Sequence, residues 1–398
     1  MKMTGRERIM CALNHGVPDR VPATPDISIM IPTKLSGKAF YDPIDLTTAY
    51  IRAARYFGID GWMFNGWLSY KYDDTCRDVR YETKTLKDTY EAKEYLTIMH
   101  TPDGDLTSVT VAPRGAPATC TEKYIKDIKG QYKFLKYFFP QITGYDKTPY
   151  LQQKEEMQET GMICCFVGCP GLQHYYGFAS LEELSCAYYD YPEIFEEIRE
   201  KHDKICVRQM EFAAEAGVES VLTGGSGSIT LQSPDIFRKM SLPTIKKVTK
   251  IASEAGILSG IHSCGKEYDL VEMCAGETDL DYVNPLEVLP MGDCELSGLK
   301  QKFGNKLALM GNLHTSAVML NSTEAVRLEA LCAIRDAGQG GGFVLSTGDQ
   351  CGYNTPYENI IEIVKVAEQY GKYPLDIDRI ETEIKRLEKT EITKEGAK

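Results

Sequence analysis

The sequence predicts an α/β fold in which parallel strands alternate with helices, and three observations carry that reading. The segments "AYIRAARYFGIDGWMF", "EFAAEAGVESVLTGG" and "TKIASEAGILSGIHSCG" share one grammar: an amphipathic helix, a glycine, then a short apolar run. A glycine just past the last helical turn is a C-cap signal, and an apolar run without polar alternation reads as a strand buried on both faces. The same helix-then-buried-strand order recurs along the chain, which is the pattern of a parallel sheet. Finally, 398 residues with 43% hydrophobic and 26% charged side chains can bury a large core.

In chain order the candidate strands lie near 20–28, 58–64, 161–168, 217–223, 256–261, 280–284, 306–311 and 342–347. Eight such strands are the count of a closed TIM (β/α)8 barrel. Between the second and third, residues 70–112 alternate polar and apolar side chains around "TPDGD", the signature of an antiparallel hairpin inserted into the N-terminal half. A segment of about forty residues is short for a core of its own, so the insertion is expected to cover the barrel rim as a lid. Residues 1–375 then form a single barrel domain, and the densely charged 376–398 form a solvated C-terminal helix or tail.

A formal net charge of -12 argues against nucleic-acid binding, which needs clustered basic residues. The opening "MKMTGRERIMCALNHGV" has no apolar signal-peptide core, and no apolar run reaches membrane-spanning length. A cytoplasmic protein is expected, and a homodimer is compatible with the sequence. The 13 irregularly spaced cysteines fit reduced thiols, most of them buried as small hydrophobes.

Active sites of such barrels lie at the C-terminal ends of the strands. On that rim "GIHSCGK" puts His262 and Cys264 two apart, hence on one face of an extended segment. Glu287 follows the sixth strand, Asn312 and His314 the seventh, and Asp349 and Cys351 the eighth. One histidine with two thiolates and an open position is a composition zinc favours.

The stretches "GRERIMCALNHGVPDRVP", "TPDGDL", "SPDIFRKMSLPTIKKVTKIASEAG", "HSCGK", "GNLH" and "TGDQCGYNTP" resemble the uroporphyrinogen decarboxylase superfamily, over nearly the whole chain. The H-x-C pair with a late cysteine before "TP" resembles its corrinoid-dependent methyltransferase branch. That resemblance implies Zn2+ on His262, Cys264 and Cys351, with Glu287 a displaceable fourth ligand. It further implies cobalamin presented by a partner corrinoid protein, and a small-molecule methyl donor or thiol acceptor as the other substrate. Glu287 and Asp349 are the candidate catalytic acids, and His174, Asn312 and His314 the candidate substrate-binding residues. A donor such as a methoxylated aromatic is favoured over a thiol acceptor, because the 24 tyrosines suggest an aromatic pocket. The decarboxylase pattern itself, with an arginine-rich "RQAGR" and a late "GHG", is replaced here by "PATPDIS" and Asp349. A polycarboxylate substrate needs fixed guanidinium partners, so porphyrinogen decarboxylation is disfavoured.

Other signals read as structural. "LTGGSGS" (222–228) lacks a P-loop lysine and is a barrel loop. Cys164, Cys165 and Cys169 lack a fourth cluster ligand, and His15, His100 and His202 are structural or surface groups.

Overall fold

The computed structural model describes residues 2–395. Its strands are β1 (Gly61–Gly66), β2 (Ser69–Tyr72), β3 (Arg80–Asp88), β4 (Ala92–Thr101), β5 (Gly104–Pro113), β6 (Thr119–Glu122), β7 (Ile142–Asp146), β8 (Gly161–Phe166), β9 (Ser220–Gly224), β10 (Leu258–Ser263), β11 (Tyr282–Pro285), β12 (Ala308–Leu313) and β13 (Phe343–Thr347). Seven of them, in the order β1-β8-β9-β10-β11-β12-β13, form one parallel curled sheet. The expected glycine caps are present: Gly58, Gly217 and Gly256 take left-handed φ of 72°, 71° and 67° after their helices, turning the chain into β1, β9 and β10.

The expected first strand differs from prediction. Residues 20–28 make only isolated bridges, Ala23 to Leu345 and Arg20 to Lys372, because Pro22 and Pro25 have no N–H to give a ladder. The segment nevertheless fills the eighth position: Thr24 N donates to Leu345 O, Leu345 N to Pro22 O, and Asp60 N to Ala23 O. It joins β13 on one side to the start of β1 on the other.

Inside the barrel, Trp62, Met162, Cys164, Leu222, Leu258, Tyr282, Met310 and Val344 form the core, with Ile9 and Leu13 of the first helix packed against them. A larger apolar cluster lies between the strands and the surrounding helices. The "RER…PDR" motif serves the barrel floor. Arg8, only 4% exposed, binds Asp19 and Asp60, and Arg20 binds Asp60 at 2.9 Å.

The insertion is larger than a hairpin. The β4–β5 pair turns at Thr101–Gly104 as "TPDGD" foretells, but β3 and β6 extend it to four antiparallel strands, and β2 pairs with β7 across the whole excursion. Strand β3 (RYETKTLKD) is exposed along its entire length, so it carries no buried face for alternation to report. Met99 and Leu106 of the insertion join Phe139, Leu172 and Tyr175 in a second apolar cluster beyond the C-terminal end of β8. Residues Ile377–Glu395 form a helix, one of the two forms expected, but it is docked rather than solvated all round: Ile380, Ile384 and Leu387 are buried, and Arg327 pairs with its Glu383. No helix among the described residues is long and apolar enough to cross a membrane.

Candidate metal centre

Along β10 the inner face carries Leu258, Gly260 and His262, since alternate side chains point into the barrel. Gly260 leaves room for Tyr282, whose ring a Cβ there would strike. His262 Nε2 lies 3.1 Å from Cys264 Sγ, and Ser226 Oγ lies 3.4 Å from the same sulfur. Donor atoms of His262, Cys264 and Asp349 all fall within 4.8 Å of one another, the one such group of three or more His, Cys, Asp or Glu among the described residues.

The loop bearing Cys264 is held from several directions. Glu287 accepts the Gly265 amide, Thr230 Oγ1 bonds Cys264 O at 3.2 Å and the Lys266 amide at 2.8 Å, and Asp293 accepts the amides of Glu267 and Tyr268. Gly265 has φ 97° and packs against Thr230, so it has no room for a side chain. The loop bearing Asp349 is tied to the first segment: Asp26 N donates to Thr347 Oγ1, Cys351 N to Asp26 O, and the amides of Ile29 and Met30 to Gln350.

The centre opens into a cavity of about 270 Å³ whose lining includes Asp26, Phe64, Phe166, Ser226, His262 and Asp349. None of its described lining residues is Lys, Arg or Tyr. Burial lowers the His262 pKa, with Asp349 and Asp26 opposing it, and burial raises the Cys264 thiol. Burial also raises Asp26, reinforced by Asp349 and opposed by the Ser28 hydrogen bonds. Metal-free, the site therefore holds a thiol, which must lose its proton to become a ligand.

The other expected residues are placed as follows. Cys351 is fully buried outside the three-residue group, its thiol pushed up to about 12 by burial. Glu287 is committed to Gly265 and acts as a brace on the Cys264 loop. Asn312 donates to Cys294 O at 3.1 Å, and His314 Nδ1 accepts Ala317 N at the start of the helix Thr315–Leu320. Both line a separate cavity of about 650 Å³ between the loop after β11 and the helix Thr323–Ala337. His174 is half-buried beneath the insertion, stacked on buried His202 with ring centroids 4.0 Å apart, and lies outside the cavity lining. The tyrosine argument for the pocket also fails, because tyrosines such as Tyr50, Tyr150, Tyr175 and Tyr282 are spent in the core.

The His174–His202 pair has a consequence for stability. Burial lowers both, His174 to about 4. A base whose folded pKa is depressed contributes stability above its unfolded value near 6.5 and loses it as pH falls from there towards 4. His174 alone is expected to cost about 2 kcal/mol between pH 7 and pH 5. Urea midpoints at the two pH values should converge in a His174→Phe protein relative to the parent.

Sequence reasoning missed Asp26, Ser226 and Asn284. Asp26 stands in "PATPDIS", noticed only for the arginines it lacks, and Ser226 stands in a loop read as structural. Asn284 pairs in register with His262 across β10 and β11, and its buried Oδ1 faces the His262 ring with no other hydrogen-bond partner.

The family pattern described as "Uroporphyrinogen decarboxylase (URO-D)" matches residues 152–370. A uroporphyrinogen decarboxylase from Coxiella burnetii is 23% identical over 195 residues, covering 46% of this chain and 49% of that protein, so the match spans about half the length of the curated relative. Among solved structures, a methyltransferase from Methanosarcina mazei superposes with a TM-score of 0.62 at 16% identity, covering 92% of this chain and 99% of that one. That likeness concerns the fold. With more than half of its length matched by the family pattern, the chain belongs to the uroporphyrinogen decarboxylase (URO-D) family.

Proposed function

We propose that the protein is a zinc-dependent methyltransferase that moves a methyl group between a small molecule and the cobalamin of a separate corrinoid protein. The observation that carries the reading is the N, S and O donor set of half-buried His262, buried Cys264 and half-buried Asp349 at the mouth of the barrel. Tetrahedral zinc with ordinary Zn–N, Zn–O and Zn–S bonds sets its donors about 3–4 Å apart. The 3.1 Å His262–Cys264 approach lies in that range, and all three donors fall within 4.8 Å of one another. Asn284 adds to the fit: a His262 ligating through Nε2 needs an acceptor for Nδ1–H, and the orphaned Oδ1 across the register supplies one. The chemistry supplied by the ion when bound is that of a Lewis acid, polarising a coordinated ether oxygen or lowering the pKa of a coordinated thiol. Three protein donors leave a position for substrate, whereas a structural zinc site closes with four.

The chain's own residues then divide the work. Ser226 reaches the Cys264 sulfur, Glu287 and Thr230 fix its loop, and Phe64 and Phe166 give the cavity apolar walls. A cavity of about 270 Å³ has room for one substituted ring and none for a tetrapyrrole, and it offers no guanidinium to a polycarboxylate. Both facts weigh against porphyrinogen decarboxylation.

The test is incubation of the zinc-loaded protein with reduced cobalamin and a panel of methoxylated aromatics, methanol, methylamines and methylated thiols. A methylcobalamin spectrum with a methoxylated aromatic is expected, and silence across the panel would overturn the donor-side reading. The same preparation tests the third ligand. The donor spacing favours Asp349 and the family resemblance Cys351, so metal content should fall at least tenfold in whichever of Asp349→Asn and Cys351→Ala removes the true donor.

A further inference from the structure

The inward faces of the strands fix what stands beside the donor group. On β8 Met162 and Cys164 point into the barrel core, so alternation sends Phe166 the same way one layer higher, and on β1 Phe64 follows Trp62. Both rings line the cavity. Phe166 pairs in register with Leu222 of β9, and Gly224, the next inward position on that strand, pairs with His262 of β10. Strand β9 therefore lies between Phe166 and His262, a backbone gap of about 10 Å across two strand spacings. Its inward residue at the level of His262 is a glycine, so β9 puts no side chain into that gap. With Phe166 and His262 both reaching inward, the space left suits one further ring stacked about 4.5–7 Å from the first.

The two phenylalanines are not equivalent. Phe64 faces Trp62 at 6.1 Å and packs against the barrel core. Phe166 is 37% exposed and, among the described residues, belongs to none of the three apolar clusters. Its ring keeps a face open to a ligand.

We infer that Phe166 is the specificity-determining residue of the cavity: a flat aromatic ring rests on it when the ether oxygen is at the metal, so the site prefers aryl to alkyl methyl ethers. The inference rests on the cavity being the substrate site of the proposed reaction, and it concerns binding alone.

NMR titration of the zinc-loaded protein with methoxybenzene and methoxycyclohexane compares two ethers of one size, one flat and aromatic, the other puckered and saturated. Both are uncharged, so no carboxylate at the mouth enters the comparison. Methoxybenzene is expected to bind about three- to tenfold more tightly, the range that ring contacts of this kind supply. That ratio should fall to about one in Phe166→Leu and persist in Phe166→Tyr, which keeps the ring. Equal affinities in the parent protein, a ratio unmoved by Phe166→Leu, or one lost equally in Phe166→Tyr would overturn the inference. The parent comparison stands even if a variant does not fold. Binding of neither ether would sink the inference together with the aromatic-donor reading. A ring preference that depends on Phe166, without methylcobalamin formation, would sustain the inference and sink only the methyl-transfer reading.

Discussion

A Cys264→Ala protein is expected to purify folded, to carry no stoichiometric zinc, and to lose methyl transfer by a factor of at least about a thousand. Cys264 is the one thiol within the donor group, and its removal leaves His262 and Asp349, too few ligands to hold the ion. The fold should persist because the barrel core and the larger cluster around it do not include this side chain. In zinc fingers metal binding is folding, but here the ion would rest on a body already stable without it. Metal analysis, circular dichroism and the cobalamin assay check the three parts separately. Full zinc occupancy in the variant would refute the assignment, and unfolding would make Cys264 a packing residue.

An Asp60→Ala protein is expected to lose about 3 kcal/mol or more of stability, read as a lower urea midpoint. Asp60 accepts from Arg8, Arg20 and the Ala23 amide, so its loss leaves one buried guanidinium short of a partner, another bound only to a backbone carbonyl, and an amide unpaired. Arg8 keeps Asp19, which places the cost near the lower end of the 3–5 kcal/mol typical of a broken buried pair. An unchanged midpoint would show that water or a shifted side chain satisfies the arginines.

The elements that were legible in the sequence share a physical cause. Strands β8 to β13 and β1 are buried on both faces and follow capped helices, so their apolar runs and glycines are visible without any tertiary knowledge. The 20–28 segment was located but misjudged in kind, since prolines that forbid a ladder still permit the few bonds that close a barrel. The insertion was underestimated because β3 lies open to solvent. At the site, His262 and Cys264 were readable because a spacing of two on a strand is a local fact. Asp349 was marked as a candidate, but its place beside them depends on how the last loop is pinned to residues 24–30. The placement of Asn312, His314 and His174 away from the cavity is likewise set by loop paths with no periodicity to report.

The seam between the first segment and β13 also sets a schedule. Thr24 bonds Leu345 and Ser346 more than three hundred positions away, and Asp26 bonds Thr347 and Cys351. On a ribosome adding about 5–20 residues per second, the amino-terminal end must wait tens of seconds for the partner that seats it. His262 and Cys264 are made well before residues 349–351, so a nascent chain has only part of the donor group until the ring shuts. Loading of the proposed metal would therefore coincide with barrel closure, one late event in the birth of the molecule.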